Sequence, residues 1–211
     1  MKHTLALLLC TILTIQSFAQ ADNRAKTILD KAVATIKALP AVEIVFELSM
    51  INTEEHIQET HPGKAYMKNP MYRIDVMDTE NYFDGEVIYT YMPEAGEVNI
   101  KTPDDNEDEM LNPTILFDIH NQKFNQKLVE EKGGKAYIEL TPKEEHHQIE
   151  KIGVWINTKN NQVEKVTSFG KDGNDIVITI KSIKQPEKEL DQSFFRFDTA
   201  AHPDVDVIDL R

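Results

Sequence analysis

The stretch "YFDGEVIYTYMP", residues 82–93, has the pattern of a β-hairpin. Asp84-Gly85 is a dipeptide that favours a two-residue turn, and aromatic and β-branched residues follow it at strand spacing. Tyr89 and Tyr91 are two residues apart, so a strand would direct both side chains to one face of a sheet. Side chains this large either fill a core or line a hollow for an apolar ligand.

The sequence before this hairpin predicts one helix and one strand with a well-defined register. Apolar residues recur at spacings of three and four over 24–38, which predicts an amphipathic helix. In "VEIVFELSMI", residues 42–51, the apolar positions alternate instead. A shift of one residue would turn Glu43 and Glu47 inwards, so only one register of this strand buries apolar side chains.

The strand pattern continues on both sides of the hairpin and predicts the fold class. Turn signals at Gly133-Gly134, Asn160-Asn161 and Asp172-Gly173 separate short strands, so we expect antiparallel neighbours in one long meander. A sheet of about ten strands twists and curls. We therefore predict a mainly β protein, an incomplete, half-open antiparallel β-barrel covered by α-helical lid elements.

Two segments are predicted to supply this cover. The first is the helix over 24–38, and the second is "NPTILFDIHN" at 112–121, where Asn112 can cap a helix and Pro113 suits its first position. The acidic run at 104–109 would favour the positive end of that helix. The run lacks the glycine and the final glutamate of a calcium loop, so we interpret it as a helix start.

The first residues have the features of a cleavable signal peptide. Lys2 supplies a positive start, and the apolar stretch over 5–15 is too short to cross about 30 Å of hydrocarbon. Small residues at Ser17 and Ala19 favour cleavage after Ala19. We therefore expect a signal peptide at 1–19 and a single mature domain at 20–211.

Cleavage would also remove Cys10, the only cysteine. The mature chain would then contain neither a disulfide nor an acylated cysteine.

Charge and motifs exclude several classes of function. The whole chain carries a formal charge of −13, and loss of Lys2 would make it −14. Nucleic-acid phosphates and anionic lipid headgroups repel such a surface, so we expect a soluble protein with no nucleic-acid partner.

Nucleophile, dinucleotide and phosphate-loop motifs are absent from the sequence. His146-His147 beside Glu144-Glu145 lacks a third ligand at a recognisable spacing, which favours a solvated loop over a metal site. We therefore expect no catalytic residue, no metal and no cofactor.

Four stretches carry a resemblance to a known family. They are "GKAYMKNP" at 63–70, "DGEVIYTYMP" at 84–93, "ELTPK" at 139–143 and "FRFDTAAHPDVDVIDLR" at 195–211. Their order and spacing resemble the outer-membrane lipoprotein carrier family (LolA-like) of Gram-negative envelopes. Ile88 and Tyr89 stand in the Leu-Trp places of the family's Asp-Gly-x-x-Leu-Trp-x-Tyr-x-Pro hairpin.

The resemblance implies a function as well as a fold. It implies a monomeric periplasmic protein, not an enzyme, whose lidded half-barrel encloses the acyl chains of lipoproteins. Such carriers receive their cargo from an inner-membrane ABC transporter and pass it to an outer-membrane acceptor. The family has an arginine that holds the lid closed, and this chain has Asn69 at that position. We therefore do not assign the role of holding the lid closed to Asn69.

Strand parity and the resemblance together predict which side chains line the cavity. The predicted lining residues are Phe46, Leu48, Met50, Met67, Ile74, Tyr89, Tyr91, Leu116 and Ile119. The alternative is a fully packed core without a hollow. An envelope sensor with the same half-barrel, or a carrier of another lipid or apolar ligand, remain alternative functions. A sensor would need a second domain, whereas the family motifs occupy the whole mature chain.

Overall fold

The computed structural model describes residues 23–103, 123–143 and 148–211. In this part of the chain, helix α1 (23–37) precedes a twelve-stranded sheet. The strands are β1 (Val42–Asn52), β2 (Ile57–Lys68), β3 (Met71–Val76), β4 (Thr79–Phe83), β5 (Ile88–Met92), β6 (Glu97–Lys101), β7 (Phe124–Lys132), β8 (Lys135–Pro142), β9 (Ile149–Asn157), β10 (Gln162–Gly170), β11 (Asn174–Lys184) and β12 (Asp206–Asp209). A short 3₁₀ turn, Gln192–Phe195, lies between β11 and β12.

The sheet is open and consists of two antiparallel meanders. Its strand order is β12-β6-β5-β4-β3-β2-β1-β11-β10-β9-β8-β7, so β12 and β7 form its two edges. The prediction of one continuous meander is wrong, because β1 pairs with the distant β11 and joins the two halves. Pairing of strands so far apart in sequence leaves no local signal. The edge strand β12 runs parallel to β6.

The predicted turns are present, but most are longer than two residues. Of the four dipeptides predicted to form two-residue turns, only Gly133-Gly134 does so, between the paired Lys132 and Lys135. Between β4 and β5, the Asp84 carboxylate accepts hydrogen bonds from the amides of Glu86 (3.0 Å) and Val87 (2.9 Å), which produces a four-residue loop. Side-chain capping of this kind lengthens a turn without changing the antiparallel pairing.

The inner face of the sheet is the face toward which the even-numbered residues of β1 point. Val42, Ile44, Phe46 and Leu48 are buried there, while the intervening residues are only partly buried. The predicted register of this strand is therefore confirmed. The opposite side of the sheet is called the outer face below.

Helix α1 covers much of this inner face. Ala25, Ile28, Leu29 and Ala32 pack in one apolar cluster with β8, β9 and β10. One turn later, Ile36 reaches a second cluster formed by β1, β2 and β3. Burial of each large side chain stabilises the fold by about 1.5–3 kcal/mol, so this amphipathic stripe holds α1 against both halves of the sheet. The helix predicted over 24–38 is confirmed.

Several predictions concern segments outside the described residues. They are the second helix at 112–121 with Leu116 and Ile119, the acidic run at 104–109, His146-His147 and the signal peptide at 1–19. In the described part of the chain, no helix combines the length and apolarity needed to cross a bilayer.

Candidate apolar binding face

Five of the predicted lining residues lie together on the inner face. Phe46, Leu48 and Met50 follow one another on β1, and Met67 and Ile74 lie on the adjoining strands β2 and β3. All five belong to one apolar cluster. Four of them are buried, and Met50 is partly exposed. These five side chains therefore share one surface, and their role as the lining of a cavity stays a prediction.

One partly exposed apolar part of this cluster lies where the two halves of the sheet meet. On β11, Ile176, Ile178 and Ile180 pair with Met50, Leu48 and Phe46 of β1. The three isoleucines are only partly buried, unlike Phe46 and Leu48. Ile180 contacts both clusters. These six residues are called the inner seam.

The three isoleucines are absent from the predicted lining residues. Their signal was present in "DIVITIKSI", residues 175–183, where isoleucines alternate with Val177 and Thr179. The alternation alone does not reveal that β11 pairs with β1. That pairing places the isoleucines at the centre of the inner face.

The inner seam is closely packed at one end. A Cβ atom added to Gly63, which pairs with Phe46, would lie 2.4 Å from two atoms of the Phe46 ring. The ring therefore rests directly on the β2 backbone, an approach that only glycine permits. The tight contact fixes the Phe46 ring as a wall of the seam.

The other end of the inner face carries polar side chains. Asn52 donates a hydrogen bond from Nδ2 to Oδ1 of Asn174 (2.8 Å) across the last pair of β1 and β11. Nearby, the buried hydroxyl of Ser168 on β10 has no hydrogen-bond partner in the described residues. The apolar seam is thus bordered by hydrogen-bonding groups at this end.

Tyr89 and Tyr91 do not line the inner face. They pair with Tyr82 and Glu80 of β4, whereas the neighbouring inner-face pair is Asn81 and Thr90. Both tyrosines therefore point to the outer face, and their inclusion with the inner-face residues is corrected. Their spacing of two residues predicts that both tyrosines share a face, but it does not show which face of the sheet that is.

The partner of these tyrosines is the segment that leads into β12. The ring centroid of Tyr91 lies 4.8 Å from that of Phe197 and 5.4 Å from that of His202. Tyr82, Tyr89, Val98, Ile100 and Phe197 form a separate buried cluster on the outer face. The aromatic side chains of the opening hairpin thus pack against a segment more than 100 residues later in the sequence.

Charged groups hold the same segment on the outer face. Arg73 donates from Nε to Asp75 (2.8 Å) and from Nη2 to Glu80 (3.1 Å), and its guanidinium lies 5.3 Å from the Phe194 ring centroid. Burial, with a hydrogen bond to Glu80, raises the pKa of the Tyr82 hydroxyl well above its usual range. Tyr82 therefore remains a neutral donor at physiological pH.

Lys68, beside Asn69, adds a further tie to this segment. It donates a hydrogen bond from Nζ to the backbone carbonyl of Leu190 (2.6 Å). Asn69 itself is exposed in the turn between β2 and β3. In the described residues, the lysine of this motif therefore holds the C-terminal segment and has no contact with an inner-face cover.

One cavity lined by described residues opens on the outer face. Its volume is about 420 Å³, and it lies between Tyr89 and Ile100 of the sheet and the segment 193–199. It is separate from the predicted hollow, which would lie on the inner face. No group of three or more His, Cys, Asp or Glu side chains suited to a metal ion occurs in the described ranges.

The fold and the helix-covered inner face define a class of open β-sheet proteins with an apolar interior. The family model "Outer membrane lipoprotein carrier protein LolA" matches residues 82–198. Since this match spans more than half of the chain, the protein belongs to that family. The resemblance inferred from the sequence motifs is confirmed. No curated protein matches the sequence significantly.

Solved structures resemble this chain at low sequence identity. An uncharacterized conserved protein from Thermus thermophilus has a TM-score of 0.55 and 10% identity, over 88% of this chain and 99% of that chain. A putative outer membrane lipoprotein-sorting protein domain from Vibrio parahaemolyticus has a TM-score of 0.48 and 12% identity, over 82% and 97% of the two chains. A LolA superfamily protein from Nitrosomonas europaea has a TM-score of 0.45 and 13% identity, over 82% and 97%.

Proposed function

We propose that the protein is a soluble periplasmic carrier that shields the acyl chains of lipoproteins on its inner face. The inner seam is the observation that carries this proposal. It is a continuous apolar strip within one cluster of the inner face, and it is only partly buried at Ile176, Ile178 and Ile180. Family membership supports the same function, since the family is described as lipoprotein carriers.

The energetics of acyl transfer explain why such a strip is useful. Each methylene moved from water to an apolar surface contributes about 0.8 kcal/mol, so acyl chains need extensive apolar cover in the periplasm. A lining worth about 25 cal/mol per Å² can offset that cost. For the cargo to be released, the empty state must also be stable, so the empty protein must shield its own apolar lining from water. We propose that the cover closes over the seam when no cargo is bound and that acyl chains replace it in the loaded state.

Polar groups at the end of the seam suit the head of an acylated cargo. Acyl chains of lipoproteins end in ester or amide carbonyls, which accept hydrogen bonds. The buried Ser168 hydroxyl lies on the inner face near Met50 and Ile176, in register with them. In this proposal it donates to such a carbonyl, and the chains extend from there along the isoleucines.

The remaining features of the carrier follow from the same proposal. Cleavage after Ala19 would release a single domain, 20–211, into the periplasm. This domain would act as a monomer without enzymatic activity. An inner-membrane ABC transporter would load it, and an outer-membrane acceptor would remove the acylated lipoprotein.

Two adjacent residues on β11 provide a matched test. Ile178 faces the inner seam, and Val177 faces the opposite side of the same strand at a similar degree of burial. We expect Ile178→Glu to weaken binding of a fluorescent triacylated lipopeptide at least tenfold, because its charge would lie against acyl chains. Val177→Glu should change the affinity less than twofold.

Circular dichroism and urea unfolding would first establish that both variants fold. Equal affinities for the two folded variants would contradict the proposal. Binding of palmitate with no binding of the lipopeptide would instead favour a carrier of another lipid.

A further inference from the structure

The outer-face cavity has the size and lining of a small-molecule site. Its volume of about 420 Å³ lies within the range of pockets that hold small ligands. Ile100 and Phe197 give it an apolar floor, and both belong to the buried outer cluster. Tyr89 and Thr199 add hydroxyl-bearing side chains. The cavity thus combines a rigid apolar surface with hydrogen-bonding groups.

Two arginines line this cavity. Two of the four arginines of the chain, Arg196 and Arg211, line it, although the formal charge of the whole chain is −13. Arg211 is paired with Asp209, with Nε–Oδ1 and Nη2–Oδ2 distances of 2.9 Å and 2.5 Å. The hydrogen bonds from Arg211 lower the pKa of Asp209 to about 2, so its carboxylate is charged and paired with Arg211 at neutral pH.

Arg196 differs from Arg211 because none of the ion pairs between described residues includes it. Asp198 shares the cavity, but its Oδ1 accepts hydrogen bonds from the amides of Ala200 (3.0 Å) and Ala201 (3.4 Å). The guanidinium of Arg196 lies close enough to Tyr89 to oppose the rise in the pKa of that hydroxyl. The Arg196 guanidinium therefore lies beside the apolar floor without a paired carboxylate, although two carboxylates are close to it. They are Asp198 in the lining and Asp84, which accepts a hydrogen bond from the Tyr89 hydroxyl (3.1 Å).

We propose that this cavity binds a small amphiphilic anion, whose carboxylate or phosphate pairs with Arg196 while an apolar body packs on Ile100 and Phe197. The planar guanidinium offers two parallel donors, a geometry that matches both acidic groups. The Thr199 hydroxyl can provide a further hydrogen bond. The site is independent of the inner seam, because Tyr89 and Ile100 lie on the opposite face of the sheet.

Nuclear magnetic resonance can test this assignment directly, since only four arginine Nε signals are expected. Phenylacetate and phenyl phosphate serve as anionic probes, and benzyl alcohol serves as the neutral counterpart. We expect both anions to shift the Arg196 signal saturably, with at least fivefold weaker binding of benzyl alcohol. The Arg24 signal and the indole signal of Trp155 should remain unchanged. Equal shifts at Arg24 and Arg196 would overturn the proposal.

Substitutions separate the roles of charge and apolar floor. Arg196→Gln should weaken both anions at least fivefold, and the control Arg24→Gln, at an exposed arginine paired with Glu131, should have no effect. Asp198→Asn should strengthen anion binding, because it removes a negative charge from the lining. Unchanged affinity in Arg196→Gln would overturn the assignment.

Two further measurements test whether the ligand needs an apolar body and whether the outer-face cavity is independent of the inner seam. Inorganic phosphate should bind at least fivefold more weakly than phenyl phosphate, since it has no body to pack on the floor. Equal binding would overturn the amphiphilic ligand class. Ile178→Glu should retain full anion binding, so a failure of the carrier proposal leaves this result unaffected.

Discussion

The two faces of the sheet are covered in different ways. On the inner face, aliphatic side chains of α1 pack on aliphatic side chains of the strands, as Leu29 does in the cluster of β8–β10. On the outer face of β2–β6, the C-terminal segment is held by rings and charges. Phe194 packs on Tyr66 with centroids 5.0 Å apart, and Lys68 bonds to the backbone of Leu190.

The difference shows which face can exchange its contacts. Aliphatic packing is non-directional, so an acyl chain can replace a protein side chain with little loss of free energy. Hydrogen bonds and ion pairs depend on direction, and a group that loses its partner while buried costs about 1–3 kcal/mol. We therefore infer that the inner face exchanges partners during function and that the outer face stays fixed.

The largest effect is expected on the fixed outer face. Phe197→Ala removes a ring that is only 4% exposed and contacts Tyr82 and Tyr91. It should lower the free energy of unfolding by about 3–5 kcal/mol, measured by urea denaturation. The control Thr199→Ala, at an exposed position, should have little effect.

The same variant tests whether the outer face contributes to cargo binding. At a temperature where it remains folded, Phe197→Ala should bind the triacylated lipopeptide as tightly as the parent. Phe197→Leu provides a milder change if the alanine variant does not fold. Loss of lipopeptide binding in a folded variant would show that the outer face takes part in cargo binding.

A smaller effect is expected from crowding the inner face. Gly63→Ala places a methyl group against the Phe46 ring, where the added Cβ would be 2.4 Å from two ring atoms. The ring must move, which should destabilise the protein by about 1–3 kcal/mol in urea denaturation. In a Phe46→Leu background the same change should cost less, since the clash is removed. Equal costs in both backgrounds would contradict the described contact.

The local elements of the fold could be predicted from the sequence. The apolar stripe of α1 fixes which side of the helix is buried. In β1 only one register buries the apolar side chains and leaves Glu43 and Glu47 on the opposite face. Turn residues also located the strand ends, as Gly133-Gly134 shows. The single-meander topology failed because pairing of β1 with β11 depends on contacts more than 120 residues apart, such as Glu43 with Lys184.

The candidate site was only partly predictable for the same reason. The residues of β1 share a face by parity, so Phe46, Leu48 and Met50 were placed together correctly. Tyr89 and Tyr91 also share a face, but the ring of Phe197 decides that this face is the outer one. The isoleucines of β11 were visible as an alternating pattern, and only the long-range pairing reveals that they border β1.

The most direct test of the central claim uses the unaltered protein and isoleucine methyl signals. A triacylated lipopeptide with a nitroxide on one acyl chain would be added to protein labelled at its isoleucine methyl groups. Broadening of the signals of Ile176, Ile178 and Ile180, with the signal of outer-face Ile100 preserved, is the predicted result. Broadening of Ile100 with the three seam signals intact would contradict acyl-chain binding at the inner seam.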